Sequence, residues 1–118
     1  MDDQYRRLDV SKVGDVTVAR LRDHKIIEGQ NMQELGQEFL RLADATQPPK
    51  LLLNFGDVDF LSSAALGKLI VLDRKVRAQG GTLKLSNLRP EIHEIFVLTK
   101  LNLLFDIRGS EAEALAVF

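Results

Sequence analysis

A run of leucines, two serines and an amphipathic segment together constrain the fold of this chain most. Leu51, Leu52 and Leu53 form a continuous apolar run, the pattern of a strand that is covered on both faces. Further along, apolar residues recur at helical spacing and share one side of a helix; they are Ala65, Leu69, Leu72 and Val76. The pattern therefore predicts a buried strand, a turn that carries Ser62 and Ser63, and a helix.

The two serines at this turn have two interpretations. Serine is among the favoured N-cap residues, so Ser62 and Ser63 can serve as structural caps of the helix. The free backbone N–H groups in the first turn of a helix also favour a negative group, so a phosphate on either serine would be stabilised there. The residues alone leave both a cap and a phosphorylation switch open.

Two elements are predicted before this unit. The segments Leu8–Val10 and Val16–Leu21 have the composition of short strands, and a turn that contains Gly14 lies between them. This order predicts an antiparallel hairpin. A helix follows, with Asn31 as its N-cap and Glu34 in the capping-box position, and it ends before Pro48. Its expected inward face consists of Met32, Leu35, Phe39 and Leu42.

Four more elements are predicted after the serine-initiated helix. Leu83 and Leu85 indicate a strand whose outward positions would be Thr82, Lys84 and Ser86. Pro90 suits the first turn of a helix, a strand is expected near Phe105–Ile107, and Ser110–Val117 reads as a short last helix. The order of elements predicts an α/β fold, a mixed β-sheet with helices packed against it.

Length and composition limit the number of domains and the classes of partner. A length of 118 residues with 45% hydrophobic residues suits one domain with one core. The 17 acidic and 16 basic residues give a net charge of −1, which favours neither nucleic acid nor an anionic membrane as a partner. Cysteine is absent, and no apolar run is long enough for a signal peptide or a spanning helix. We expect a cytoplasmic protein without membrane insertion.

No motif in the sequence predicts catalysis. The glycines do not form a phosphate-binding loop, and His93 with Glu94 lacks a second histidine because position 97 is Val97. Asp23 and His24 can be an exposed turn pair without a function, because a lone histidine that no catalytic motif supplies with a nucleophile is seldom catalytic. We therefore expect no catalytic residue, no metal ligand and no cofactor, and we do not expect an enzyme.

Together, the hairpin, the leucine strand, the serine-containing turn and the closing segment resemble the STAS domain, the fold of bacterial anti-sigma-factor antagonists. In those proteins the strand-to-helix junction typically has the order aromatic, aliphatic, Asp, Ser, Ser or Thr, Gly, Leu, Gly. This chain matches it at Phe60, Leu61, Ser63, Leu66 and Gly67, and departs from it at Ser62, Ala64 and Ala65. The resemblance covers nearly the whole chain and implies one STAS domain over residues 1–118.

The resemblance also implies a function and its residues. A kinase that is also the anti-sigma factor would phosphorylate Ser63, with Ser62 as the fallback acceptor, and the protein would act in transcription regulation. The implied partner-binding residues are Asp23, His24, Ser62, Ser63, Ala64 and Lys68. The alternative is a non-phosphorylated STAS subunit of a larger regulatory or lipid-transport assembly, which the missing aspartate at Ser62 favours. The sigma factor, the signal and the oligomeric state stay open.

Overall fold

Strands and helices alternate along the chain, as the sequence predicts. The structure is a computed structural model that describes residues 5–26 and 29–118. Its strands are β1 (Leu8–Val13), β2 (Val16–Leu21), β3 (Lys25–Ile26), β4 (Lys50–Asn54), β5 (Phe60–Leu61), β6 (Thr82–Ser86) and β7 (Asp106–Arg108). Its α-helices are α1 (Gln30–Ala45), α2 (Ser63–Ala78), α3 (Pro90–Leu98) and α4 (Glu111–Leu115), and a 3₁₀ turn covers Leu101–Leu103.

The strands form two separate sheets. The larger has five strands in the order β1-β2-β4-β6-β7, and the smaller pairs β3 with β5. β1 and β2 are antiparallel, whereas β2, β4, β6 and β7 are parallel to one another. This arrangement confirms the predicted α/β fold with a mixed sheet.

Both faces of the central strand β4 are covered. Leu51 and Leu53 belong to the large core under α1, α2 and α3, and neither is exposed to solvent. Leu52 points to the opposite face, where it packs with Val18 and with Ala114 of α4. The leucine run therefore has the double burial that its continuous apolar pattern predicts.

The structure corrects the expected orientation of β6. Thr82 is exposed as predicted, but Lys84 and Ser86 are buried rather than outward. The reason is α4, which packs across this face of the sheet and could not be placed from the β6 sequence alone. Lys84 is compensated there, because its Nζ lies 2.6 Å from Asp106 Oδ2 and 5.3 Å from the centre of the Phe118 ring.

The start of α1 also differs from the prediction. The helix begins at Gln30 with Gly29 as its N-cap, and no side chain caps it, so the capping box of Asn31 and Glu34 was wrong. Gly29 has φ = 97°, a conformation open to glycine, and this lets the chain enter the helix before Asn31. The expected inward face is confirmed, since Met32, Leu35, Phe39 and Leu42 are all buried.

One close backbone approach joins β4 to β6. The N–H of Thr82 donates a hydrogen bond of 2.8 Å to the carbonyl of Pro49. A Cβ atom on Gly81 would meet that carbonyl oxygen and would lie 2.7 Å from Pro49 Cγ. Position 81 therefore requires glycine, because there is no space for a side chain there.

Candidate functional site at the start of α2

The strand-to-helix junction after β5 gives the two serines different surroundings. Ser62 is the N-cap of α2, with an extended backbone at φ = −83° and ψ = 166°. Its Oγ accepts a hydrogen bond of 3.2 Å from the N–H of Ala65, and its carbonyl accepts one of 3.1 Å from the N–H of Leu66. Ser62 therefore performs the capping role that the sequence left open between the two serines.

Ser63 is the first residue of α2, and its side chain is exposed. Within the described part of the chain, no hydrogen bond holds its hydroxyl group. The first turn of α2 contains no acidic residue, so no carboxylate there would repel an added phosphate. Ala64 beside it is exposed as well, which leaves the hydroxyl accessible from solvent.

The small sheet supports this junction from one side. Lys25 pairs with Phe60 and Ile26 with Leu61 in parallel register. The carbonyl of His24 accepts the N–H groups of Asp59 at 2.7 Å and of Phe60 at 3.2 Å. The carbonyl of Ile26 accepts the N–H of Ser62 at 2.9 Å. The structure thus brings the segment after β2 directly against the residues that lead into α2.

Asp23 and His24 lie in this segment but in different environments. The Asp23 carboxylate is half-buried and lies 3.1 Å from Arg7 Nη1, so an internal ion pair engages it. The His24 side chain is 67% exposed, and its Nδ1 lies 3.8 Å from Asp59 Oδ2. Both residues are among those expected to bind a partner, and of the two His24 is the more exposed.

Lys68 lies one turn beyond Ala64 on α2 and leans across α1. A Cβ atom on Gly36 of α1 would lie 2.9 Å from Lys68 Cδ, so the missing side chain at Gly36 makes room for the lysine stem. The two helices border a groove of about 360 Å³, lined by Gln33, Gly36, Gln37, Leu40, Lys68 and Val71. Lys68 therefore joins the exposed start of α2 to this groove.

The structure adds residues that the sequence analysis did not select. Phe60 is 45% exposed and lies in β5, three positions before Ser63. Asp59 pairs with Arg89, whose Nη1 lies 2.8 Å from Asp59 Oδ1. The sequence contains one signal for an exposed side chain here, at Phe60. Neighbouring side chains of a strand point to opposite faces, so Phe60 faces outward because Leu61 faces the core.

Metal sites and membrane-spanning helices are not found in the described parts of the chain. Among residues 5–26 and 29–118, no three His, Cys, Asp or Glu side chains are grouped so that they could hold a metal ion. Over the same residues, no helix combines the length and the apolar character needed to cross a bilayer.

Comparison with known families decides the classification. The sequence model of the STAS domain matches residues 7–114, nearly the whole chain. The chain belongs to the STAS domain family. The prediction made from the junction residues is therefore confirmed at the level of the family.

Individual STAS proteins are similar over most of their length. The chain is 25% identical over 112 residues to the "Putative anti-sigma factor antagonist BtrV" of Bordetella bronchiseptica, covering 95% of this chain and 94% of BtrV. An anti-sigma-factor antagonist STAS domain protein from Planctomyces limnophilus has the same fold, with a TM-score of 0.86, 20% identity, and coverage of 93% and 96% of the two chains.

A third similar protein was solved in a modified state. Bacillus SpoIIAA in its phosphorylated form matches with a TM-score of 0.67 at 19% identity, covering 92% of this chain and 96% of SpoIIAA. At this identity the match shows a shared fold.

Proposed function

We propose that this protein is an anti-sigma-factor antagonist that binds a kinase-type anti-sigma factor while Ser63 is unmodified and releases it once Ser63 is phosphorylated. The observation that carries the proposal is the division of roles at the start of α2. Ser62 caps the helix, whereas the Ser63 hydroxyl is exposed and holds no hydrogen bond to the described residues. A kinase can therefore modify Ser63 without removing the cap.

The similar proteins support the same function. BtrV carries the name of an anti-sigma factor antagonist, and SpoIIAA is a protein of the same fold that exists in a phosphorylated form. Transcription regulation of this type takes place in the bacterial cytoplasm, so the proposal includes a cytoplasmic location. It also assigns the protein the role of a binding module rather than of an enzyme.

The physical basis of the switch is the charge of the phosphate. A phosphoserine carries nearly two negative charges, which the free N–H groups in the first turn of α2 can accommodate within this molecule. In an interface the same charge must lose its water, and it meets any carboxylate of the partner unfavourably. A coupling of about 1 to 3 kcal/mol between modification and binding would change the affinity by roughly 5-fold to 150-fold.

We define the switch surface as His24, Phe60, Ser63, Ala64 and Lys68. It combines the exposed aromatic ring of Phe60, three positions before Ser63, with the cationic side chain of Lys68, five positions after it. Aromatic residues in the centre of an interface often carry a large share of the binding free energy. Phe60 is therefore proposed as the anchor of the unmodified complex, and Ser63 follows β5 at the start of α2.

Phosphate incorporation tests the proposal directly. The protein is incubated with ATP and the histidine-kinase-like ATPase encoded nearest to it, and the modified residue is located by mass spectrometry. Wild type and Ser62→Ala should gain one phosphate at Ser63, and Ser63→Ala should gain none. Incorporation that persists in Ser63→Ala and disappears in Ser62→Ala would move the acceptor to Ser62, the fallback position.

A second candidate function is favoured by one specific residue. Ser62 stands where the resembling antagonists have an aspartate, and a kinase that reads this charge would not recognise the junction. The protein would then be a non-phosphorylated STAS subunit that docks permanently in a larger regulatory or lipid-transport assembly. Unphosphorylated protein after incubation with the kinase, together with stable co-purification in such an assembly, would favour this function.

A further inference from the structure

Arg7 is connected to two other parts of the fold, helix α1 and the segment that follows β2. Its guanidinium group lies 3.1 Å from Asp23 and 3.8 Å from Glu34 of α1. Its own carbonyl accepts the N–H of Arg22 at 2.9 Å. The side chains of Arg7, Asp23 and Glu34 are only 21% to 24% exposed, so the ion pairs are partly shielded from water.

The backbone of Arg7 is fixed as well. Glu38 lies one turn after Glu34 on α1 and is buried, with 1% of its surface exposed. Its carboxylate accepts the N–H groups of Arg6 at 3.0 Å and of Arg7 at 2.9 Å. Two backbone donors satisfy this buried charge, and they hold the segment before β1 on the helix. Arg7 therefore approaches Asp23 from a rigid base.

A short series of contacts leads from Asp23 to the switch surface. His24 follows Asp23, and its carbonyl receives the N–H groups of Asp59 and Phe60. Two residues later, Ile26 receives the N–H of Ser62, the cap of α2. The strands β3 and β5 have only two residues each, and a pair of strands this small is only marginally stable by itself. Ile26 and Leu61 anchor one face of this sheet in the large core, and the ion pair of Asp23 is a further contact that holds the start of the segment in place.

We propose that Arg7 is a positioning residue for the switch surface: by holding Asp23 against α1 it keeps β3 paired with β5 and so fixes the presentation of Phe60 and Ser63. Asp23 is then an anchor inside the protein and not a residue that the partner touches. The effect on partner binding rests on the function proposed above, whereas the effect on the small sheet does not.

Amide hydrogen exchange measured by NMR tests the positioning role without any partner. The variant Arg7→Gln removes the charge and keeps most of the side-chain length. We expect exchange at the amides of Asp59, Phe60 and Ser62 to accelerate about fivefold, while amides of the central strands β4 and β6 exchange as in wild type. Arg7→Lys, which can still meet one carboxylate, should accelerate the same amides only about twofold.

Two further variants make the test specific. Asp23→Asn should reproduce the effect of Arg7→Gln, and the double variant should be no worse than either single variant, because both remove the same interaction. Arg22→Gln is the matched control, since Arg22 also forms an ion pair, with Asp9, but at a site where both side chains are more than half exposed. Unchanged exchange in Arg7→Gln, equal acceleration in Arg22→Gln, or equal acceleration in β4 and β6 would overturn the proposal.

Calorimetric titration with the kinase-type anti-sigma factor tests the consequence for binding. Arg7→Gln should bind about fivefold more weakly than wild type, and Arg22→Gln should bind equally well. Accelerated exchange with unchanged affinity would overturn the role of Arg7 in partner binding. Absence of binding by the wild type would instead contradict the proposed function, and the exchange result would still decide whether Arg7 orders the small sheet.

Discussion

The Oγ atom of Ser62 lies 3.2 Å from the backbone nitrogen of Ala65, within the first turn of the helix that Ser63 begins. This hydrogen bond makes Ser62 the cap of the helix, and the exposed hydroxyl of Ser63 is the one proposed above as the site of modification. Two adjacent serines thus have separable roles, and single substitutions can distinguish them.

Ser62→Ala should lower the free energy of unfolding by about 1 kcal/mol, because the N–H of Ala65 loses its capping acceptor. Ser63→Ala is the matched control and should change it by less than about 0.5 kcal/mol, since the Ser63 side chain is exposed. Urea denaturation followed by circular dichroism measures both values. Equal destabilisation by the two substitutions would contradict the assigned cap.

Ser63→Asp should weaken binding of the kinase-type anti-sigma factor about tenfold or more, which corresponds to about 1.4 kcal/mol. The introduced charge must be desolvated in the interface, although it carries less charge than a phosphoserine. Ser63→Ala should keep the wild-type affinity, and both variants should melt near the wild-type temperature. Titration calorimetry that finds equal affinity for the two variants would refute a switch operated by charge.

Two lysine–aspartate pairs with the same separation should differ in their contribution to stability. The Nζ–Oδ2 distance is 2.6 Å in both Lys84–Asp106 and Lys50–Asp15, but the side chain of Lys84 is 9% exposed and that of Lys50 is 38% exposed. Asp106→Asn should lower the free energy of unfolding at pH 7 by roughly 1 to 2 kcal/mol, because it leaves a buried ammonium group with a weaker partner. Asp15→Asn should have a smaller effect. Chemical denaturation of both variants measures the difference.

The effect of Asp106→Asn should also depend on pH in a defined direction. Arg108 and then Lys84 lower the pKa of Asp106 below its ordinary value of 3.8. A carboxylate whose pKa is lowered by folding stabilises the folded state above its ordinary pKa, and that contribution is lost as the pH falls through the lowered value. The stability difference between wild type and Asp106→Asn should therefore be constant near neutral pH and shrink below about pH 4. A difference that grows with acid would contradict this.

Two glycine substitutions should have opposite effects on stability. Gly67 lies inside α2, and no atom lies within 4 Å of the position that a Cβ would take there, so Gly67→Ala should raise the free energy of unfolding by about 0.5 to 1 kcal/mol. Gly81→Ala should lower it by about 2 kcal/mol or more, because the new Cβ would collide with Pro49. Thermal unfolding monitored by calorimetry measures both changes. Destabilisation by Gly67→Ala would contradict the prediction, because it would mean that a Cβ atom at position 67 is not accommodated.

Local patterns predicted the fold and the junction well. The leucine run of β4 requires cover on both sides, and the helical spacing after Ser63 fixes the inward face of α2, so both follow from neighbouring residues. The order of strand, serine turn and helix also predicted that both serines lie where α2 begins, and the structure shows that Ser62 caps the helix and Ser63 is exposed. For these elements the decisive interactions lie close together in the sequence.

Interactions between distant segments could not be predicted in this way. Lys84 was expected to point outward because it alternates with the apolar residues Leu83 and Leu85. That local pattern contains no information about α4, a distant segment that packs on this face of the sheet and buries Lys84. The strands β3 and β5 are too short to show a periodicity, and they pair across more than thirty positions. The contact between Arg7 and Asp23 likewise depends on where α1 packs, so the sequence did not reveal that Asp23 forms an ion pair within the protein.

The separation of the two-stranded sheet from the five-stranded sheet has an evolutionary consequence. The side chains of Lys25 and Phe60 belong to the small sheet and not to the five-stranded sheet, and the small sheet is paired through backbone hydrogen bonds that most side chains permit. If partners bind this surface, as proposed above, substitutions at His24, Lys25 or Phe60 would let paralogues acquire a new partner while the five-stranded sheet is inherited unchanged. Insulation between related signalling pairs in one cell would be achieved by divergence at this small sheet.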